Sequence, residues 1–300
     1  MTLSASHWLS AARPKTLPLA LTSIVTGSCL AYTHQHFSWK VSLLALLTAT
    51  LLQILSNLAN DFGDAKQGTD NHDRLGPTRA IQSGEITAKQ MQVAMVVCSI
   101  LSLMSGLALI LSSLTTLLDI AIFLGLGVLA IFCAIAYTVG KRPYGYMGLG
   151  DLAVFVFFGL LGVGGTFYLH TLSISGDLLL PATATGLLAV AVLNVNNMRD
   201  IDNDKAFGKT TVAVRLGLTK AKQYHAFLIL TAWLAYLAFV LSNHCSSLSV
   251  LMTALILVPS ALHLRALQSA KDSLAIAPLM AGVVKLALIA NLVFSLAIIV

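Results

Sequence analysis

The chain has 300 residues, of which 57% are hydrophobic and only 10% are charged, and its mean hydropathy is +0.85. This composition excludes an ordinary soluble domain and indicates a polytopic membrane protein. The net charge of +6 does not indicate a nucleic-acid partner, because the sequence contains no basic run with interleaved aromatic residues. The four cysteines lie in or beside apolar runs without metal-ligand spacing, which is typical of small buried hydrophobic residues.

A helix needs about 20 mostly apolar residues to cross a bilayer, and nine stretches of the sequence meet this requirement. They are residues 17–33, 41–60, 91–112, 117–137, 149–170, 178–197, 225–243, 248–267 and 279–299. We therefore predict an all-α, polytopic membrane protein with about nine transmembrane helices in a single domain, residues 1–300. Residues 4–16 carry Trp8, Arg13 and Lys15 and are predicted to form an interfacial helix, with a disordered tail as the alternative.

An acidic stretch follows the second apolar run and carries Asp61, Asp64, Asp70 and Asp73. On a helix, Asp61 and Asp64 lie on one face because they are three residues apart. Clustered oxygen ligands suit Mg²⁺, which proteins usually hold with one or two carboxylates plus the phosphates of a substrate. A solvated loop between helices is the alternative interpretation, since Asp, Asn and Gly are also common turn residues.

A basic loop follows the fourth span and contains Lys141 and Arg142. Such residues suit contacts to a diphosphate, but they are equally well explained by the general excess of basic residues in cytoplasmic loops. In the fifth span, the glycine-rich run from Gly159 to Gly165 predicts close helix packing, with a backbone lining for a substrate tail as the alternative.

A second acidic stretch follows the sixth apolar run and contains Asp200, Asp202 and Asp204. Asn196, Asp200 and Asp204 are spaced by four residues, so they share one helical face. Two such acidic faces could hold metal ions between them. The repetition of one layout in a chain with so few charges favours a function for both stretches over two ordinary loops.

Lysine and arginine residues concentrate on one side of the predicted bundle. The N-terminal segment and the loops after spans two, four, six and eight carry all of them except Lys40, on the opposite side, and Lys285, inside the ninth span. The positive-inside rule predicts that the N-terminus and both acidic stretches face the cytoplasm. Asp119, at a span edge, and Lys285 receive no predicted role.

Both acidic stretches resemble a known family. Asn60-Asp61-x-x-Asp64 resembles the first aspartate-rich motif of the UbiA superfamily of membrane prenyltransferases, and Asp200-x-x-x-Asp204 resembles the second. Within the superfamily, the longer runs 60–79 and 196–211 are most similar to the enzymes that act on 1,4-dihydroxy-2-naphthoate. One departure is Ala80, where those enzymes lead us to expect glycine.

The resemblance implies a Mg²⁺-dependent enzyme of the bacterial inner membrane, working in menaquinone biosynthesis. It implies transfer of a polyprenyl group from polyprenyl diphosphate to 1,4-dihydroxy-2-naphthoate, with loss of carbon dioxide, to give demethylmenaquinone. It further implies that the isoprenoid tail lies between helices or extends towards membrane lipid. The implied catalytic and metal-binding residues are Asp61, Asp64, Asp200 and Asp204, and the implied diphosphate contacts are Asn60, Lys141, Arg199 and Asn196.

Two other functions compete with this hypothesis. The first is prenyl transfer to another aromatic acceptor, such as 4-hydroxybenzoate or homogentisate. The second is cation-coupled transport, which a polytopic chain with buried polar groups also permits. Transporter sites usually lie near the bilayer midplane on broken helices, whereas these aspartates follow the ends of apolar runs on one side.

Overall fold

The structure, a computed structural model, describes residues 5–71 and 75–300. Over these residues the chain is almost entirely helical and contains no β-strand. The helices are α1 Ala5–Ala12, α2 Leu17–Thr33, α3 Trp39–Gln67, α4 Ala88–Ser113, α5 Leu117–Ala136, α6 Gly150–Thr171, α7 Gly176–Arg199, α8 Ile201–Ala206, α9 Val212–Ser242, α10 Ser247–Ser269 and α11 Ser273–Ala297.

The predicted fold class is confirmed. Over the described residues, eight helices are long and apolar enough to cross a membrane, and α1 with α2 forms a ninth candidate as a pair bent by 54°. Each of the nine predicted spans overlaps one of these helices. The segment expected at the membrane interface is helical as α1 from Ala5, while its first residue, Ser4, lies outside the described residues.

Two helices extend well beyond their apolar runs. Helix α3 continues to Gln67 and is ended by Gly68, whose φ of 78° is the left-handed conformation typical of a residue that terminates a helix. Helix α9 begins at Val212, where the Thr211 side chain accepts a hydrogen bond from the Val214 amide, and it is kinked at Gly217. Hydropathy detects only the part of a helix that meets lipid, so it cannot detect these polar turns.

Helix α7 lies at the centre of the bundle. Its apolar part is 72% buried, compared with 6% for that of α5, which is therefore largely exposed on the outside of the bundle. Helix α7 packs against α2, α6, α9 and α11. A Cβ atom at Gly159 of α6 would lie 2.5 Å from the carbonyl oxygen of Ala182 in α7 and 2.9 Å from Cα of Gly186, so the predicted close helix packing is present.

Asp119 and Lys285, for which the sequence predicts no role, occupy different environments. Asp119 accepts hydrogen bonds from the Thr116 hydroxyl at 2.5 Å and from the Tyr168 hydroxyl at 2.9 Å, so it links the first turn of α5 to α6. Lys285 is exposed on the outer surface of α11.

Candidate active site

The two acidic stretches meet at one end of the bundle, where α3 and α7 both terminate. Between them lies a cavity. It is lined by Arg13, Asn60, Asp64, Thr69, Asp70, Arg79, Tyr137, Leu193, Asn196, Asn197, Asp200, Asp204 and Lys209. Apart from Leu193, all of these side chains are polar or charged, so the cavity suits a strongly charged ligand.

Arg79 holds the carboxylates of the first stretch together. Its guanidinium lies 2.5 Å from Asp61, 3.4 Å from Asp64 and 3.4 Å from Asp70. Asp61 also accepts a hydrogen bond from Arg13. Helix α3 presents Asp61 and Asp64 within one turn, and the chain after Gly68 returns to place Asp70 and Arg79 beside them. Asp73 lies outside the described residues.

The second stretch has its own basic partners. The guanidinium of Arg199 donates to both carboxylate oxygens of Asp200, at 2.9 and 2.5 Å, and to the side chain of Asn196 at 2.8 Å. Lys209 lies 3.3 Å from Asp204. Asp200 immediately precedes the short helix α8, which carries Asp204, and both residues line the cavity.

Two asparagines join the stretches directly. The Asn71 side-chain amide donates to the Asn203 carbonyl oxygen at 2.8 Å, and the Asn203 amide donates to the backbone oxygen of Thr69 at 2.9 Å. These contacts link residues more than 130 positions apart. They fix the distance between the two acidic groups before any ligand binds.

The turn Tyr144–Met147 closes a third side of the site. The Tyr146 hydroxyl donates to Asp64 at 2.8 Å and lies 2.7 Å from the hydroxyl of Thr69. The backbone oxygen of Tyr146 accepts hydrogen bonds from both the amide and the hydroxyl of Thr210, each at 2.9 Å. The ammonium of Lys209 lies 5.3 Å from the centre of the Tyr146 ring, a cation–π distance.

The crowding of carboxylates alters the acidity of the groups around the cavity. Burial raises the pKa of Asp204 to about 6, although Lys209 opposes this shift. Burial alone would lower the pKa of the Lys209 ammonium, but the carboxylates of Asp64 and Asp204 raise it above its ordinary value. Burial also raises the pKa of Tyr137 and Tyr146, and nearby carboxylates add to the effect. Both phenols therefore remain protonated near neutral pH, when they can donate hydrogen bonds.

Most of the site residues predicted from the sequence line the cavity. Asn60, Asp64, Asn196, Asp200 and Asp204 all do so. The other three predicted residues do not line it: Asp61, Arg199 and Lys141.

Asp61 and Arg199 are buried and do not line the cavity. Asp61 holds Arg13 and Arg79, and Arg199 holds Asp200 and Asn196. Lys141 is exposed and does not line the cavity. It follows Gly140, whose φ of 126° turns the chain, and the loop instead directs Tyr146 at the acidic residues.

Sequence reasoning missed several cavity residues. Arg13 is assigned to membrane anchoring, Arg79 and Lys209 belong to the runs that resemble the family but receive no site role, and Tyr137 receives no role. A signal was present for Arg79, which ends the longer motif that begins at Asn60. Nothing in the local sequence distinguishes Arg13 from the neighbouring Lys15 as the cation that reaches the cavity.

The donor atoms fit Mg²⁺ bound together with a diphosphate. Within residues 5–71 and 75–300, no three His, Cys, Asp or Glu side chains are arranged to hold a metal ion by themselves. Magnesium sites of this class, however, use one or two carboxylates and take further oxygens from substrate phosphates. In the described part of the chain, Oδ2 of Asp204 and Oδ1 of Asn60 are buried without a hydrogen-bond partner, so both can still accept a ligand.

The sequence pattern of the UbiA prenyltransferase family matches residues 20–291. The chain is 48% identical to a 1,4-dihydroxy-2-naphthoate octaprenyltransferase from Haemophilus influenzae, over 96% of this chain and 94% of that protein. It is 49% identical to a protein of the same name from Escherichia coli K12, over 97% of this chain and 94% of that protein.

Solved structures share the fold at much lower identity. A UbiA homolog from Aeropyrum pernix K1, in its apo form, superposes with a TM-score of 0.70 at 17% identity, covering 96% of this chain and 98% of that one. A UbiA homolog from Archaeoglobus fulgidus, bound to DMAPP and Mg²⁺, superposes with a TM-score of 0.66 at 15% identity, covering 98% and 99%.

Proposed function

The chain belongs to the UbiA prenyltransferase family, and from that premise we propose that its cavity transfers a polyprenyl group from polyprenyl diphosphate to 1,4-dihydroxy-2-naphthoate. Carbon dioxide is lost and demethylmenaquinol, the reduced form of demethylmenaquinone, is formed, a step of menaquinone biosynthesis. One structural observation carries the proposal: two acidic groups, from opposite halves of the chain, face each other across a single polar cavity. The near full-length similarity to relatives named for this activity supports the choice of acceptor.

Asp64, Asp200 and Asp204 are the proposed Mg²⁺ ligands, with Asp70 beside them. Mg²⁺, when bound, would neutralise the leaving diphosphate as a Lewis acid and orient it. The resemblance implies that Asp61 is also a metal ligand. We propose a different role for it, because it does not line the cavity and already pairs with two arginines. It would fix Arg13 and Arg79 in place, while Arg199 fixes Asp200 in the same way.

The chain's cavity-lining basic and amide groups are suited to bind the diphosphate. Arg79 and Lys209 supply charge-assisted hydrogen bonds to its oxygens, and Asn60 and Asn196 supply neutral ones. Departure of the diphosphate leaves an allylic cation, which the electron-rich naphthoate ring attacks. The electron pair of the carboxylate bond then returns to the ring as carbon dioxide leaves, so the reaction needs no strong base.

The membrane setting follows from the same proposal. The cavity end of the bundle faces the cytoplasm of a bacterial inner membrane, because the loops on that side carry most of the lysine and arginine residues. The polyprenyl tail extends between the helices towards lipid. Both substrates therefore reach one site, the aromatic acceptor from water and the donor from the bilayer.

An acceptor panel tests the proposed function. Detergent-purified protein would be incubated with Mg²⁺, a polyprenyl diphosphate and, separately, 1,4-dihydroxy-2-naphthoate, 4-hydroxybenzoate or homogentisate. The proposal predicts prenylated product and released carbon dioxide with the naphthoate. Product with another acceptor alone would overturn the choice of substrate, and no product with any acceptor would favour transport instead.

A further inference from the structure

Arg13 is held in an unusual backbone conformation at the edge of the cavity. It lies at the bend between α1 and α2 with a φ of 51°, which is the left-handed region that few residues other than glycine adopt. It also precedes Pro14, and a following proline disfavours helical backbone conformations. Such strain persists only where the surrounding structure maintains it, and it is concentrated at functional sites.

Several hydrogen bonds maintain this conformation. The Arg13 amide donates to the Ser10 oxygen at 3.1 Å, and the Arg13 oxygen accepts from the Thr16 amide at 2.9 Å and the Thr16 hydroxyl at 3.0 Å. The Asn57 side chain of α3 donates to the Ala12 oxygen at 2.8 Å. The bend is therefore anchored to the same helix that carries Asp61 and Asp64, and the Arg13 side chain is directed into the cavity.

The basic side chains around the cavity differ in their solvent exposure and in the carboxylates that they contact. The side chain of Arg199 is 6% exposed, that of Arg79 is 10% exposed and that of Lys209 is 12% exposed. Arg79 lies near three carboxylates, whereas Arg199 and Lys209 each pair with an aspartate of the second stretch. Arg79 and Lys209 serve the aspartates and the diphosphate, and Arg199 serves Asp200.

Arg13 is the most accessible of these four cations. Its side chain is 26% exposed, and among the described residues the carboxylate it contacts is that of Asp61. Asp61 is at the same time 2.5 Å from Arg79. A second carboxylate can therefore replace Asp61 on the Arg13 guanidinium without leaving Asp61 unpaired, and the planar guanidinium fits a carboxylate well.

We propose that Arg13 binds the carboxylate of the aromatic acceptor and so selects acceptors that carry this group. The inference rests on the proposed function, because it names a subsite for the acceptor of that reaction. The acceptor arrives with a negative charge next to a site already rich in carboxylates. It therefore requires an accessible cation whose own aspartate keeps another partner, and Arg13 meets that requirement because Asp61 is also held by Arg79.

Equilibrium binding of two non-reacting aromatic probes tests the inference whether or not a variant is active. The probes are 1-hydroxy-2-naphthoate and 1-naphthol, which differ in the carboxylate, and binding is measured on the full-length purified protein. The variants are Arg13→Met, Arg13→Lys and, as a matched control, Lys15→Met, since Lys15 is exposed two residues further on.

Wild-type protein should bind the carboxylated probe more tightly, by roughly 10- to 100-fold, as expected for a charge-assisted contact. Arg13→Met should abolish this preference, Arg13→Lys should keep part of it, and Lys15→Met should keep all of it. The KM for polyprenyl diphosphate should change less than about threefold in Arg13→Lys. This variant keeps the positive charge, and a residue of the acceptor subsite should have little effect on binding of the donor.

An unchanged probe preference in Arg13→Met, or no preference in the wild type, would overturn the inference. A large rise in the donor KM would assign Arg13 to the diphosphate instead. Failure of the proposed function has a separate signature, since wild-type protein would then give no prenylated naphthoate in the acceptor panel, whatever the probe preference.

Discussion

The hydroxyl of Tyr146 donates a 2.8 Å hydrogen bond to Oδ1 of Asp64. The same residue is bonded through its backbone oxygen to Thr210, and its ring lies beside Lys209, which pairs with Asp204. Tyr146 therefore connects both acidic stretches through one side chain and one carbonyl group. Its position determines how Asp64 and Lys209 face each other across the cavity.

Replacing Tyr146 with phenylalanine should impair catalysis with little effect on the fold. The variant loses the hydrogen bond to Asp64 but keeps the ring beside Lys209. A hydrogen bond to a charged group contributes about 1.5–3 kcal/mol, so we expect turnover to fall roughly tenfold or more. Tyr144→Phe is the matched control, because its hydroxyl bonds the Cys133 oxygen at 2.9 Å, away from the cavity. Equal turnover in the two variants would contradict this role of Tyr146.

Asn203→Ala should lower both stability and activity. The substitution removes the two hydrogen bonds that join Asn203 to Asn71 and to Thr69, and each is worth about 1 kcal/mol. The apparent melting temperature of the purified protein should decrease, and turnover should decrease with it as the acidic stretches separate. Asn243→Ala, in an exposed loop where its side chain bonds the Phe239 oxygen, serves as the control and should leave turnover unchanged.

Gly63→Ala should destabilise the protein strongly. A Cβ atom at Gly63 would lie 2.5 Å from Cβ and Oγ1 of Thr138, so α3 and the chain after α5 would have to separate. Overpacking of this kind typically costs about 1–3 kcal/mol. Thermal unfolding should show the loss, whereas Gly125→Ala, where no atom lies within 4 Å, should be neutral or slightly stabilising. Similar melting temperatures for the two variants would mean that the helices can move apart without cost.

Labelling with a membrane-impermeant maleimide tests the proposed orientation. Glu85→Cys lies in the loop before α4, on the cavity side, and Gln35→Cys lies between α2 and α3, on the opposite side; both positions are exposed. In inverted inner-membrane vesicles, Glu85→Cys should react and Gln35→Cys should not. In intact spheroplasts, Gln35→Cys should react and Glu85→Cys should not. Labelling of Gln35→Cys in inverted vesicles and of Glu85→Cys in spheroplasts would contradict the proposed orientation.

The sequence allowed the fold to be predicted, and several residues that it proposed for the site line the cavity. The nine spans were detectable because each has a long apolar run. Asp64 was detectable from its helical spacing to Asp61, and Asp200 and Asp204 from their helical spacing to Asn196, each set at the end of a span. Helical spacing could not show that Asp61 pairs with two arginines instead of lining the cavity, since these contacts depend on Arg13, 48 residues earlier, and on Arg79.

The remaining cavity residues depend on tertiary contacts that no local pattern records. Tyr146 reaches Asp64 across 82 residues of chain, and Arg13 reaches the cavity because α1 bends away from α2. Lys141 appeared suitable from its charge and its side of the membrane. Charge alone does not reveal whether a side chain reaches the cavity, and the turn at Gly140 leaves Lys141 exposed.

The most direct test of the account compares Asp204→Asn with Asp202→Asn in the complete reaction. Both changes neutralise one carboxylate of α8, but Asp204 lines the cavity, whereas Asp202 is exposed and accepts a hydrogen bond from Ser273. With Mg²⁺, polyprenyl diphosphate and 1,4-dihydroxy-2-naphthoate, mass spectrometry should detect prenylated product from the wild type and Asp202→Asn. Product from Asp204→Asn should fall by roughly 100-fold or more, as when a group that stabilises transition-state charge is removed. Full activity in Asp204→Asn would contradict the claim that the two acidic stretches form one active site.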